Sequence, residues 1–168
     1  MNLLTGEEID GVSGSLVYNE VDIKHFNPKK RRDLSIAFVP ENRLGHSAVP
    51  ELTLSENILI SQFPNNNFLS NGMINHRNID LQAKKVIEQF NVVTPGTDAK
   101  ASSLSGGNLQ KFVIGREILT NPKLLIISHP TWGIDAGAEH AIRNSLIELA
   151  KNGTSIILTL FKNVSNDE

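Results

Sequence analysis

The sequence predicts an α/β fold in which a parallel strand–helix–strand core is interrupted by a mostly helical insertion. Two observations carry this. Leu124-Leu125-Ile126-Ile127 and Ile156-Ile157-Leu158 are continuous apolar runs of strand length on either side of a helical segment, the pattern of a buried βαβ unit. Between Pro40 and Pro122, apolar residues instead recur at helical spacing between capping and breaking signals. Composition permits a core: of 168 residues, 39% are hydrophobic and 20% charged, which excludes wholesale disorder. With 16 Lys+Arg against 18 Asp+Glu the net charge is −2, so no overall attraction to nucleic acid or anionic membrane operates. The absence of cysteine excludes disulfides, zinc–thiolate sites and thiol catalysis. No apolar run approaches the roughly 18 residues of a membrane span. Glu7, Glu8 and Asp10 close behind Met1 do not fit a signal peptide, so a soluble, cytoplasmic chain is expected.

The elements follow in order. Residues 14–23 alternate apolar and polar on both sides of Asn19-Glu20, a hairpin pattern with Asn suited to the turn. Asn27-Pro28 opens a short helical turn, Lys29-Lys30-Arg31-Arg32, which reads as a solvated basic face; contact with phosphate or an acidic partner is the alternative. Ser35 to Val39 predicts a strand stopped by Pro40. Thr53-Leu54-Ser55-Glu56 is a capping box, and Leu54, Ile58 and Leu59 give the helix behind it an apolar face. A polar stretch with Asn65-Asn66-Asn67 and Gly72 separates it from a helix over about 75–90. That helix has the face Ile79, Ala83, Val86-Ile87 and Phe90, and Thr94-Pro95-Gly96 breaks it. A third helix begins after Ser105 and ends before Asn121-Pro122. Next come a strand over 124–127, a helix over about 137–151 ended by Asn152-Gly153, and a strand over 154–160. No internal repeat is visible.

The most specific stretch is Leu104-Ser105-Gly106-Gly107-Asn108-Leu109-Gln110-Lys111. Ser105 is an N-cap, and two glycines leave backbone N–H groups bare at the helix start. Hydroxyl, donors and helix dipole together suit an anion. Taken alone, the pattern is a weak signal and describes an ordinary capped helix after a flexible turn better than a site. Behind it Leu109, Phe112-Val113 and Leu119 form a buried face, with Gly115 allowing close packing. His25, His46, His76, His129 and His140 show no ligand spacing, so no metal site is expected.

Directly after this helix, residues 124–135 run as strand then loop: Leu-Leu-Ile-Ile-Ser-His-Pro-Thr-Trp-Gly-Ile-Asp. Here the chain resembles the nucleotide-binding domains of ABC transporters. Residues 104–111 match their signature motif, and 124–135 have the frame of Walker B followed by the D-loop. Pro40-Glu41-Asn42-Arg43 looks like the Q-loop region with Glu41 replacing Gln, and Thr53 to Ile58 looks like the start of the helical subdomain. Pro130 to Ala138 and the Asn-Leu-Gln-Lys tail of the signature are most similar to tandem ATP-binding proteins of simple-sugar and nucleoside uptake systems, in particular to the second domain of such a chain. The likeness covers about residues 3–158. It implies one partial P-loop NTPase (RecA-like) domain: 1–45 carrying hairpin, core strand and Q-loop region, 46–120 a helical subdomain ending in the signature helix, and 121–168 the remaining α/β core.

The departures are specific. Walker A is missing: Gly6 to Ser13 copies its spacing, but Val12 stands where Lys must neutralise phosphate, and Glu7, Glu8 and Asp10 would repel it. Aligned on the hairpin, the chain starts after the family's P-loop. At Walker B, the positions of the magnesium-holding Asp and the water-orienting Glu are Ser128 and His129. A neutral hydroxyl adds little cation binding. His129 reads as a polar strand end over a site that no longer turns over, a general base being the alternative. Residues 161–168 do not resemble the family's His loop, and Trp132 beside the D-loop suits interface packing, or stacking on a base.

The resemblance implies an ATP-binding component of an importer for simple sugars or nucleosides, peripheral at the inner face of the cell membrane. Ser105, Gly106, Gly107 and Asn108 would contact ATP in trans, and Asp135 would couple the two sites of a head-to-tail pair. ATP and Mg²⁺ are the implied ligands. The implied partners are a second nucleotide-binding domain, permease subunits and a solute-binding protein, with no nucleic acid. No catalytic residue is assigned to this chain, which is expected to be inactive alone. A non-hydrolysing remnant is the alternative. The ATPase heads of DNA-repair proteins share the signature, but their long heptad coiled coils have no counterpart here.

Overall fold

The computed structural model describes residues 2–9, 13–42, 44–62, 66–131 and 134–159. A short helix α1 (Asn2–Thr5) precedes the hairpin β1 (Val17–Tyr18) and β2 (Val21–Asp22), helix α2 (Pro28–Asp33) and strand β3 (Ile36–Val39). Then come α3 (Leu54–Gln62), a second hairpin β4 (Leu69–Ser70) and β5 (Met73–Ile74), α4 (His76–Gln89), α5 (Gly106–Ile118), β6 (Leu124–Ser128), α6 (Ala136–Lys151) and β7 (Ser155–Thr159). Of the features singled out in the sequence, Asp10, Gly11 and Val12, Arg43, Asn65, Trp132 and residues 161–168 lie outside the described residues.

The strands β3, β6 and β7 form a parallel sheet in that order, with Val39 opposite Ile127 and Ile127 opposite Leu158. Residues of β3 and β6 are buried throughout because both faces are covered, which is why their sequences carry no polar alternation. Ala37, Val39, Leu125 and Ile127 enter one core with Leu54, Ile58, Ala83, Val86, Phe112, Val113 and Ile142 from α3 to α6. Ile36, Phe38, Leu124 and Ile126 enter the other, with Ile23 and the half-buried Leu4, Leu16, Phe26 and Leu34.

Local chemistry sets the element ends. Asn19 and Glu20 both have positive φ, 47° and 67°, so the first hairpin closes through a two-residue left-handed turn. The capping box is reciprocal: Thr53 N–H donates to Glu56 Oε2 at 2.8 Å, and Glu56 N–H donates to Thr53 Oγ1 at 3.1 Å. In α5 Gly115 faces the Phe90 ring so closely that a Cβ there would lie 2.7 Å from Phe90 Cγ. The residue is glycine because the ring takes the space.

Three readings of the sequence are corrected. The basic turn is not a solvated face. Lys29 and Lys30 are exposed, but Arg31 is fully buried. Its guanidinium donates to the carbonyls of Phe26, Leu3 and Leu4 at 2.8 Å and of Ile23 at 3.0 Å, which ties the first residues to the hairpin exit. Arg32 stacks 4.2 Å from the Phe38 ring centroid and pairs with Glu117 at 2.8 Å. The polar stretch before α4 holds the second hairpin, turned by Asn71 (φ 52°) and Gly72 (φ 78°). Strand β7 ends the sheet order and is not buried like its neighbours: Ile157, in register with Ile126, is 38% exposed because the layer built from the first 34 residues reaches only β3 and β6, and Leu158, on the opposite face in register with Ile127, is 46% exposed. Among the described residues no helix is long and apolar enough to cross a membrane.

Candidate functional site

Helix α5 begins as its sequence requires. Ser105 has extended backbone geometry (φ −61°, ψ 153°), and its hydroxyl oxygen accepts from Asn108 N–H at 3.4 Å and from Asn108 Nδ2 at 3.0 Å. Both bonds use oxygen lone pairs, so the hydroxyl proton remains available to a third group. Ser105 and Gly106 are exposed and Gly107 is half-buried. As the first residues of the helix, Gly106 and Gly107 have N–H groups that the intrahelical ladder cannot satisfy. Two backbone donors, one hydroxyl proton and the positive end of a 13-residue helix thus share one accessible spot. Asn108 is engaged within the chain: its Oδ1 accepts from Val93 N–H at 2.9 Å and from Lys111 Nζ at 3.4 Å.

The other sequence-predicted residues gather at the carboxyl ends of the parallel strands, where open α/β sheets place their ligands. Glu41 is exposed just beyond β3. Ser128 ends β6, buried, and its hydroxyl accepts from Thr159 Oγ1 at 2.9 Å across to β7. His129 follows at φ 46°, and its N–H donates to the Thr159 carbonyl at 3.0 Å. This strand end therefore carries a hydroxyl pair and an imidazole, with no carboxylate at 128 or 129. The start of α5 reaches the loop leaving β6, because Gln110 Nε2 donates to the Pro130 carbonyl at 3.2 Å. Asp135 caps α6: its Oδ1 accepts from Ala138 N–H at 2.9 Å. That bond, together with the nearby Lys111 charge, holds its carboxyl below the ordinary carboxylate range.

Sequence reasoning missed what fixes these pieces to one another. Arg116 and Glu117, near the far end of α5, are almost fully buried. Glu117 accepts from Arg116 Nε at 3.0 Å and pairs with Arg32, while Arg116 Nη2 donates to the Ser47 carbonyl at 2.9 Å. Burial alone would raise the Glu117 pKa, but the two guanidinium charges outweigh it and hold the carboxyl below its ordinary value. Asn57, fully buried, accepts from Val49 N–H at 2.8 Å and donates to the Val49 carbonyl at 3.1 Å. The segment that follows Glu41 is thereby anchored to α3 and α5. An Asn on the apolar face between Leu54 and Ile58 was the available signal.

The chain is similar to known proteins in sequence and in fold. The family model described as ABC transporter matches residues 1–132. The chain is 37% identical over 150 residues to the nucleoside import ATP-binding protein NupA of Lactococcus lactis subsp. cremoris, covering 89% of this chain and 30% of that protein. It is 35% identical over 147 residues to the galactose/methyl galactoside import ATP-binding protein MglA of Pasteurella multocida, covering 87% and 29%. The chain thus spans about 30% of the length of the curated relatives it matches. Among solved structures it superposes on a dimeric ATP-binding cassette in a post-hydrolysis state bound to ADP and Pi, with TM-score 0.74 and 18% identity over 96% of this chain and 68% of that one. A nucleotide-free ATP-binding cassette from an ABC transporter gives TM-score 0.68 at 23% identity over 96% and 64%. Both carry the fold seen here, an ABC cassette with its parallel sheet, and with the family match over 1–132 they show that this chain belongs to the ABC transporter family.

Proposed function

We propose that this chain is an ATP-binding part of an importer for nucleosides or simple sugars, the cargoes named for its relatives. In this reading residues 105–107 complete an ATP site whose other half belongs to a second nucleotide-binding domain. The observation that carries it is the exposed start of α5, where the Ser105 hydroxyl proton and the N–H groups of Gly106 and Gly107 have no hydrogen-bond partner among the described residues. That donor set fits a phosphate. ATP would supply the anhydride whose hydrolysis drives transport. This chain would supply Ser105, Gly106 and Gly107 to hold the terminal phosphate, and Asp135 to couple the paired sites.

The chain's own half-site reads as degenerate. Ser128 and His129 bring no carboxylate for Mg²⁺ or for the attacking water, which favours binding without turnover there. Residues 46–120 act as the helical subdomain that presents the signature, and 1–45 with 121–159 as the core. Permease subunits and a solute-binding protein of the same system are the further partners, and this chain would sit peripherally at the inner face of the membrane. The test is sedimentation of this chain mixed with an intact nucleotide-binding domain of a nucleoside or sugar importer. Association driven by ATP and not by AMP is expected; no association at saturating ATP sinks the reading.

A further inference from the structure

Asn108 invites assignment as a nucleotide contact because it follows the two glycines. Most of its carboxamide is instead engaged inside the chain: the oxygen accepts two bonds, and one of the two Nδ2 protons is donated. Oδ1 accepts from Val93 N–H at 2.9 Å and from Lys111 Nζ at 3.4 Å, and Nδ2 donates to Ser105 Oγ at 3.0 Å. Lys111 Nζ in turn donates to the Asn91 carbonyl at 3.1 Å. The side chain therefore spans from the 91–93 turn after α4 to the Ser105 hydroxyl. An amide N–H can only donate, so Ser105 Oγ must accept it, as it accepts the weaker bond from Asn108 N–H. With lone pairs taken from the helix side, the Ser105 proton points away from the helix.

From this geometry we infer that Asn108 is a positioning residue: it holds Ser105 as a hydrogen-bond donor toward the phosphate and does not itself touch the nucleotide. The inference rests on the trans-signature reading above. It separates two substitutions of nearly equal size. In Asn108→Asp a carboxylate keeps the bonds from Val93 N–H and Lys111 but cannot donate to Ser105. It accepts the Ser105 proton instead and turns it away from phosphate. In Asn108→Ala both ends are lost.

The experiment is ATP turnover by this full chain paired with an intact nucleotide-binding domain, for Ser105→Ala, Asn108→Ala, Asn108→Asp and the double variant Ser105→Ala/Asn108→Ala. Ser105→Ala should slow turnover on the order of tenfold, and Asn108→Ala should cost several-fold alone but almost nothing further in the Ser105→Ala background. Asn108→Asp should leave the amide exchange of Val93 as in the wild type and still lose turnover. Full additivity of the two alanine changes overturns the inference while leaving the trans reading intact, since a merely structural or directly contacting Asn108 would act in either background. So would wild-type turnover in Asn108→Asp. No effect of Ser105→Ala, or no turnover above that of the partner domain alone, sinks the trans reading and this inference with it.

Discussion

Glu117→Gln is the change that most severely tests how the signature helix is held. Glu117 has no exposed surface and binds two cations, Arg116 (3% exposed) and Arg32, at 2.9 and 2.8 Å. The neutral amide keeps the shape but leaves the buried Arg116 guanidinium without a counter-charge and with the Arg32 guanidinium beside it. Removing one partner of a buried ion cluster costs about 3–5 kcal/mol. At about 2–4 °C per kcal/mol for a chain of this length, the melting temperature should fall by roughly 6–20 °C. The pH dependence has a definite sign. Because the folded carboxyl sits below its unfolded value, its contribution is complete above the unfolded pKa of about 4.3 and is lost as pH falls through the lower folded value. The gap between wild type and variant should stay constant from pH 7 to about 4.3 and narrow below it. Thermal melts across that range provide the assay. Arg116→Met/Glu117→Leu should recover most of the loss, since Arg32 at the rim can turn to solvent. A shift under about 2 °C for Glu117→Gln, or a gap that widens in acid, would refute the reasoning.

Other consequences are smaller. Gly115→Ala gains about 1 kcal/mol of helix propensity but forces a methyl into the Phe90 ring at a cost of about 1–3 kcal/mol, so the urea midpoint should fall, and adding Phe90→Leu should restore it. Glu20→Gly should stabilise by roughly 1 kcal/mol, because Glu20 sits at φ 67°, a conformation costly for any residue with a Cβ; a lower denaturation midpoint would contradict the turn assignment. Ser128→Asp/His129→Glu in this chain alone should show no Mg²⁺-dependent ATP hydrolysis, since those carboxylates act on nucleotide already held by a phosphate-binding loop. Clear turnover by the double variant in a phosphate-release assay would show that a loop of that kind is present.

How much of this was legible depended on whether the signal was local. The capping box at Thr53, the caps Asn27 and Ser105, and the apolar strands at 36 and 124 all fold as their sequences dictate, because the partners lie within four residues or in a neighbouring strand. The second hairpin was legible and overlooked: Asn71-Gly72 between Leu69 and Met73-Ile74 is a strong two-residue turn signal. Arg31 and Arg32 could not be placed from sequence. Their partners are backbone carbonyls at Leu3 and Leu4 and a carboxylate at Glu117, brought together only by the fold. The same holds within the site, where the order of residues 104–108 gave the donors but not the use of Asn108 to bind Val93.

The central claim is that Ser105, Gly106 and Gly107 serve a phosphate held by another domain, and Ser105→Arg tests it most directly. The side chain is exposed and the apolar face of α5 is untouched, so the fold should persist with at most the loss of a cap, roughly 1 kcal/mol. The measurement is ATP turnover of the paired domains beside the melting temperature of the variant. A hydrogen bond to a charged group contributes about 1.5–3 kcal/mol, or roughly tenfold to a hundredfold in rate, and the arginine's bulk at the phosphate should make the loss larger still. Gly107→Asp should be comparably damaging, because a carboxylate there repels phosphate. Collapsed turnover with a nearly unchanged melting temperature is the predicted result; unchanged turnover in a folded Ser105→Arg variant would leave Ser105 a helix cap and nothing more.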